Sequence, residues 1–251
     1  MRLDLAGKAI LLTGASRGVG AATARLCAHA GARVIGHASG ESAEAAALIA
    51  GGVVAGDDFL FEDLRAPGAG FRLAARAIER AGRLDVLVNN AGVYLATPLE
   101  GAQAGWEAGW DETLAVNLRA PADLARAAVA HFRRHGGGRV VNIASRAGHR
   151  GDGPDHAAYA ASKGALLAMT KTYARALAGE NILFYAVAPG WIETRMAPED
   201  VAARAKAVGE IPLGRVASPE EVAALVVFLL SDACPSATGA TFDVNGASYV
   251  R

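Results

Sequence analysis

Short apolar runs alternate with longer stretches of helical periodicity along the whole chain, and that alternation restricts the fold more than any other feature. Strand-like runs lie at 8–13, 33–37, 58–62, 84–89, 139–144, 182–187 and 241–244, with helical stretches at about 19–30, 42–50, 69–81, 106–134, 157–178 and 219–231 between them. Several runs, K-A-I-L-L-T and I-L-F-Y-A-V among them, are apolar almost throughout, as parallel strands covered on both faces must be. The regular order predicts an α/β fold: a single doubly wound parallel sheet of about seven strands with helices on both faces.

No Pro/Ser/Gly linker, internal repeat or low-complexity segment divides the 251 residues, so 1–251 reads as one domain. Two connections, about 93–106 and 190–217, exceed what a minimal loop needs; the second, with Pro198 and Pro212, reads as a substrate lid. Lys plus Arg number 25 and Asp plus Glu 25, which leaves no net field to gather nucleic acid or an anionic membrane. The longest strongly apolar run, 223–230, falls far below the roughly 20 residues of a spanning helix. The opening M-R-L-D-L-A-G-K lacks the apolar core and cleavage site of a signal peptide, so a cytoplasmic location is expected. Cys27 and Cys234 fall in apolar helical patterns and read as small buried hydrophobes of a reduced protein.

The first run leads directly into T-G-A-S-R-G-V-G, residues 13–20, and a helical stretch follows. Gly14, Gly18 and Gly20 allow a tight turn and close backbone approach, and the helix start offers unpaired N–H groups to a pyrophosphate. A glycine trio alone is weak evidence; between the first strand and first helix of an alternating chain it indicates a dinucleotide site. At the end of the second run an Asp or Glu would bind a ribose 2′-hydroxyl and repel a 2′-phosphate, but this chain has His37, Ala38 and Ser39. Arg17 and Ser39, with His37 beside them, suit a 2′-phosphate, so NADP is expected over NAD. A solvated arginine at a helix start is the plainer alternative for Arg17.

Farther on, Y-A-A-S-K places Tyr159 and Lys163 four positions apart on one face of an Ala-rich helix. Two amphipathic side chains covering core edges would look the same. So would a proton-transfer pair in which an ammonium lowers a phenol from its ordinary pKa of about 10.

The G-x-x-x-G-x-G spacing, N-N-A-G at 89–92, A-V-N-L around Asn117, N-I-A-S ending at Ser145 and Y-x-x-x-K follow one another along nearly all of the chain. In that combination the sequence resembles the short-chain dehydrogenase/reductase family of Rossmann-fold oxidoreductases. The resemblance implies hydride transfer between a nicotinamide and a ketone or secondary alcohol. It implies Tyr159 as general acid/base, Lys163 as its electrostatic partner and a ribose ligand, Ser145 as holder of the substrate oxygen, and Asn117 as anchor of a water leading to Lys163. Cofactor contacts are implied at Gly14, Ser16, Arg17, Gly18, Val19, Gly20, His37, Ser39, Asp63, Asn90 and Gly92, and at Pro189, Gly190, Ile192 and Thr194 of P-G-W-I-E-T. No metal is needed, and a homotetramer is implied. Within the family the chain looks most like β-ketoacyl-acyl carrier protein reductases, through G-A-S-R-G-V-G, N-N-A-G, A-A-Y-A-A-S-K and T-G-A-T-F-D-V-N-G-A. A 3-oxoacyl thioester or another small carbonyl is therefore the expected substrate. An NADP-binding regulator without turnover, an NAD-dependent sugar or steroid alcohol dehydrogenase, and an epimerase or dehydratase remain as alternatives.

Ser145 and Tyr159 lie 14 positions apart, one more than the family pattern, through R-A-G-H-R-G-D-G-P-D-H. His149, Asp152, Asp155 and His156 in that loop match no zinc spacing. Pocket-facing candidates are Val93, Tyr94, Arg146, His149, Trp191 and the segment near 195–212. Arg133, Arg134 and Arg139 offer either a docking patch for an acidic carrier protein or solvated helix-end charge. Tyr185 stands where many relatives carry Asn.

Overall fold

A computed structural model of the chain describes residues 3–194 and 200–251. Among the described residues, β1 (Ala9–Leu12), β2 (Arg33–Ala38), β3 (Phe59–Phe61), β4 (Val86–Asn89), β5 (Gly138–Ile143), β6 (Ile182–Pro189) and β7 (Thr241–Val244) form one sheet, ordered β3-β2-β1-β4-β5-β6-β7. Every pairing is parallel. The strand order reverses between β1 and β4, which opens a crevice beyond the carboxyl ends of those two strands. This is the doubly wound sheet that the sequence pattern predicts.

Helices α1 (Gly18–His29), α2 (Ala43–Ala50) and α9 (Pro219–Leu230) cover one face; α3 (Ala69–Ala81), α5 (Ala120–Arg134) and α7 (Ala157–Leu177) cover the other. Side-chain alternation along β1 divides the core accordingly. Ile10 and Leu12 join Cys27, Val222 and Val226 on the first face, whereas Leu11 joins Leu73, Leu124 and Phe184 on the second. Burial stabilises by about 1.5–3 kcal/mol for each side chain of Leu or Phe size, so both faces are strongly held. At Gly70 a Cβ would sit 2.8 Å from the Ala120 carbonyl oxygen, so α3 and α5 meet at a point that only glycine fits.

Several local expectations change. The stretch 106–134 is two helices, α4 (Gln103–Leu114) and α5, joined by a π-helical turn at Ala115–Arg119. Pro121 accounts for the break. It offers no N–H to the Asn117 carbonyl four residues back and its ring crowds that oxygen, so the helix widens by one residue. The excursion at 93–106 gives way to α4 at Gln103. The excursion at 190–217 contains α8 (Val201–Gly209), with a bridge between Ile192 and Ala217 at its base. Residues 195–199 of that expected lid, Pro198 included, lie outside the described residues. Cys27 is buried but Cys234 is exposed, because it follows the end of α9 instead of lying within it. Arg133 pairs with Glu180 and Arg139 with Asp232, which neutralises two of the three groups of the basic patch. Tyr185 is buried, its hydroxyl facing the Pro235 carbonyl at 3.5 Å. Among the described residues, no helix is long and apolar enough to cross a membrane.

Candidate active site

The turn between β1 and α1 is fastened to N-N-A-G. The Thr13 hydroxyl accepts the N–H groups of Asn90 and Ala91, both at 3.0 Å, and the Asn90 amide donates to the carbonyls of Thr13 and Gly14 at 2.9 and 3.0 Å. Gly14 and Gly18 have φ of +65° and +52°, and a Cβ on Gly20 would lie 2.0 Å from the Gly14 carbonyl oxygen. Arg17 stands at the N-cap of α1 without capping it, and the first turn carries no acid, so the positive helix end is left for an external anion. Val19 is buried in that turn and Ser16 partly so. On the opposite wall the Thr194 methyl would lie 3.1 Å from a Cβ at Gly18. A cradle that only glycines can line, ending on an uncapped helix, fits the pyrophosphate of a dinucleotide.

Arg17 and Ser39 are exposed beside this cradle, and Arg17 pairs with no carboxylate among the described residues. His37 corrects the expectation. It is buried, its Nδ1 accepting the Gly14 N–H at 3.3 Å and its Nε2 lying 2.9 Å from the Glu62 carbonyl. Burial lowers its pKa, so it is a neutral strut behind the glycine turn and has no nitrogen left for a 2′-phosphate. Asp63 is held by Arg65 through both carboxylate oxygens, which keeps its carboxyl below the ordinary range. Pro189 ends β6, and the Gly190 N–H donates to the Val244 carbonyl at 3.0 Å.

The chemical residues converge at the carboxyl edge of β4 and β5. Tyr159 and Lys163 share one face of α7, with the Lys163 Nζ 5.7 Å from the centre of the phenol ring. The amine is buried and donates to the Ile143 carbonyl at 2.8 Å, and burial alone brings its pKa down to about 8. Burial pushes the Tyr159 phenol up to about 12, while a hydrogen bond with Ser145 pulls it down and Asp152 raises it further. Lys163 lies over the ring face and bonds to backbone instead of to the hydroxyl, so burial is the leading influence on the phenol here. Ser145 is in place at the end of β5, its Oγ also accepting the Ala147 N–H at 3.1 Å.

Asn117 is fully buried in the π-helical turn. Its Oδ1 accepts the Val93 N–H at 2.8 Å, and its Nδ2 donates to the Val93 carbonyl at 2.9 Å and to Ser162 Oγ at 3.2 Å. A Cβ on Gly92 would lie 3.2 Å from that Oδ1 and 3.5 Å from the Lys163 Nζ, so Gly92 keeps the backbone close to both. Ser162 donates to the Tyr159 carbonyl at 2.7 Å and ties that turn to Asn117, a role hidden in the three letters between Tyr and Lys. Behind them a buried amide ladder fixes α7: Asn89 donates to Asn142 and Asn142 to Thr170, both at 2.8 Å.

The loop with the extra residue is anchored. It forms α6 (Ala147–Arg150), and the Asp155 carbonyl accepts the Thr97 N–H at 2.6 Å. His156 stacks on Tyr94 at 4.0 Å, and Tyr94 meets Tyr159 edge-on at 4.8 Å and Trp191 at 6.1 Å. His149 turns away from this aromatic wall and stacks on Tyr249 at 5.8 Å.

A glycine cradle facing a Ser–Tyr–Lys set defines a nicotinamide-dependent oxidoreductase. Residues 14–247 match a family model described as Enoyl-(Acyl carrier protein) reductase, and the chain belongs to the short-chain dehydrogenase/reductase family. Within it, the chain falls among the sequences similar to FabG. It is 38% identical, over 254 aligned positions and 100% of both chains, to the 3-oxoacyl-(acyl-carrier-protein) reductase FabG of Thermotoga maritima. It is 34% identical over 251 positions, 99% of this chain and 100% of the relative, to FabG of Escherichia coli. A solved structure described as an NAD(P) dependent gluconate 5-dehydrogenase from Beutenbergia cavernae, with bound NADP, matches with a TM-score of 0.89 at 35% identity over 99% of each chain.

Proposed function

We propose that this chain reduces a small ketone to a secondary alcohol with NADPH, and that the reaction is carried by the protonated Tyr159 beside Ser145. A phenol with a pKa near 12 keeps its proton at neutrality, which is the state a donor to a ketone oxygen needs. The dinucleotide, when bound, supplies the hydride. Ser145 donates a hydrogen bond to the substrate oxygen and stabilises the negative charge that develops there. Tyr159 passes its proton to the same oxygen. Lys163 binds the ribose hydroxyls and restores the tyrosine proton, and Asn117 holds the backbone at Val93 and a water on that route.

Gly14, Ser16, Gly18, Val19 and Gly20 would hold the pyrophosphate, and Arg17 and Ser39 the 2′-phosphate. Asp63, Asn90, Gly92, Pro189, Gly190, Ile192 and Thr194 complete the dinucleotide site. The chain acts as one catalytic unit with 190–217 as its lid, assembles as a homotetramer and works in the cytoplasm. Support for the ketone reading comes from the 3-oxoacyl reductases among its relatives, and support for NADP from the absence of an acid at the end of β2. Following NADPH and NADH consumption across a panel of ketones tests the reading. Turnover with NADPH is expected; dinucleotide binding with no turnover of any ketone overturns it.

A further inference from the structure

Arg146, the residue after Ser145, is placed unlike an ordinary surface arginine. Its side chain is only 6% exposed, and its Nη1 is buried with no hydrogen-bond partner among the described residues. Among the described residues its ion-pair partner is Glu210, just past the end of α8, 3.9 Å from Nη2, a separation too long for a hydrogen bond. Glu210 is shared with Arg150 at 3.5 Å and is itself 45% exposed, so the carboxylate beside Arg146 is open to solvent. Asp152 and Tyr94 also act electrostatically on Arg146, but the Asp152 carboxylate already accepts the Tyr94 hydroxyl at 3.4 Å. Tyr94 is the ring in edge contact with Tyr159.

A guanidinium taken out of water with part of its hydrogen-bonding capacity unmet is costly, and a planar carboxylate is the group that satisfies it best. We propose that Arg146 binds a carboxylate on the substrate itself, so that this enzyme prefers oxo acids to uncharged ketones and to thioesters. The proposal rests on the ketone-reductase reading above and narrows its substrate class. Ser145 holds the ketone oxygen while its sequence neighbour Arg146 holds the acid end, and Glu210 is the loosely bound carboxylate that the substrate displaces. On displacement Glu210 remains paired with Arg150, so no charge is stranded.

The test uses the full-length protein with NADPH and straight-chain oxo acids whose ketone lies one to four carbons from the carboxylate, each paired with its methyl ester, together with a 3-oxoacyl thioester. Wild type should show higher kcat/KM for at least one acid than for its ester and for the thioester. In Arg146→Met the acid-to-ester ratio of kcat/KM should fall about thirtyfold or more, the range for loss of one partner of a charged pair. The fall should be mainly in KM, with Arg146→Lys restoring part of it. The preferred acid should also raise the melting temperature of wild type in the presence of NADP, and this shift should be absent in Arg146→Met. NADPH binding by fluorescence verifies that the variants are folded. A wild type that reduces esters or thioesters better than every acid overturns the proposal while leaving ketone reduction standing, as does a variant that loses both activities in equal proportion. Absence of turnover with every compound overturns both.

Discussion

Tyr159 and Lys163 occupy one turn of helix, yet burial moves their pKa values in opposite directions, the phenol up to about 12 and the amine down to about 8. Both shifts disfavour charge in a desolvated site. The tyrosine thus waits in its proton-donating form. Replacing Tyr159 with Phe should lower kcat by about 10²–10⁴-fold, the usual contribution of a general acid, with the Kd for NADPH little changed. Stopped-flow turnover and fluorescence titration check the two halves of that statement. The lysine carries a stability signature. Between about pH 8 and pH 10 the unfolded chain keeps the Lys163 proton that the folded chain has released, so stability rises with pH in that window. Above pH 10 the tyrosine opposes this, since the folded state then holds a proton that the unfolded state has lost. Urea denaturation of the cofactor-free protein at pH 8 and pH 10 should show an increment on the order of 2 kcal/mol that Lys163→Met abolishes. The proposed 2′-phosphate site offers a further test. Ser39→Asp should repel a 2′-phosphate and shift kcat/KM toward NADH by about tenfold or more, measured as the NADPH-to-NADH ratio.

At the scale of elements, the β1–α1 turn and the start of α9 give contrasting predictions. In the turn a Cβ at position 20 would lie 2.0 Å from the Gly14 carbonyl oxygen, which no side-chain motion relieves. Gly20→Ala should weaken NADPH binding about tenfold or more and lower the melting temperature, seen by titration and calorimetry. At α9, Ser218 and Glu221 close a reciprocal capping box, and Arg215 with the Ser218 N–H holds the Glu221 carboxyl down to about 2. Ser218→Ala should cost about 1 kcal/mol in denaturation with kcat unaltered, because the cap lies away from Tyr159.

The same elements indicate what could be read from sequence. The strand-like runs, the glycine turn and Y-x-x-x-K were legible because each depends on local periodicity or on spacing over a few residues. The π-helical turn was not, although Pro121 was its signal, because helical periodicity survives one added residue. His37 was misread since its neighbours in sequence do not show that its ring points behind the turn, toward Gly14 and Glu62. The burial of Arg146 and its approach to Glu210, more than sixty positions away, were equally hidden, since neither follows from neighbours in sequence.

The whole molecule is one parallel sheet whose carboxyl edge carries the reacting groups, and buried amides tie β4 and β5 to α7. Asn142 on β5 is fully buried, accepting from Asn89 on β4 and donating to Thr170 on α7. Asn142→Ala would leave the Asn89 side-chain amide without its partner and the Thr170 hydroxyl with only its bond to the Leu166 carbonyl, and should cost about 1–3 kcal/mol, read from urea denaturation. Its kcat should fall as well, since Thr170 sits on the helix that carries Tyr159 and Lys163. That attachment sets a compass bearing. Each residue of an α-helix advances about 100° around its axis, so one residue removed between Lys163 and Thr170 would swing phenol and amine away from Ser145 while the pin at Thr170 stayed fast. Such a chain would still spell tyrosine and lysine at the proper interval, aimed at the wrong wall.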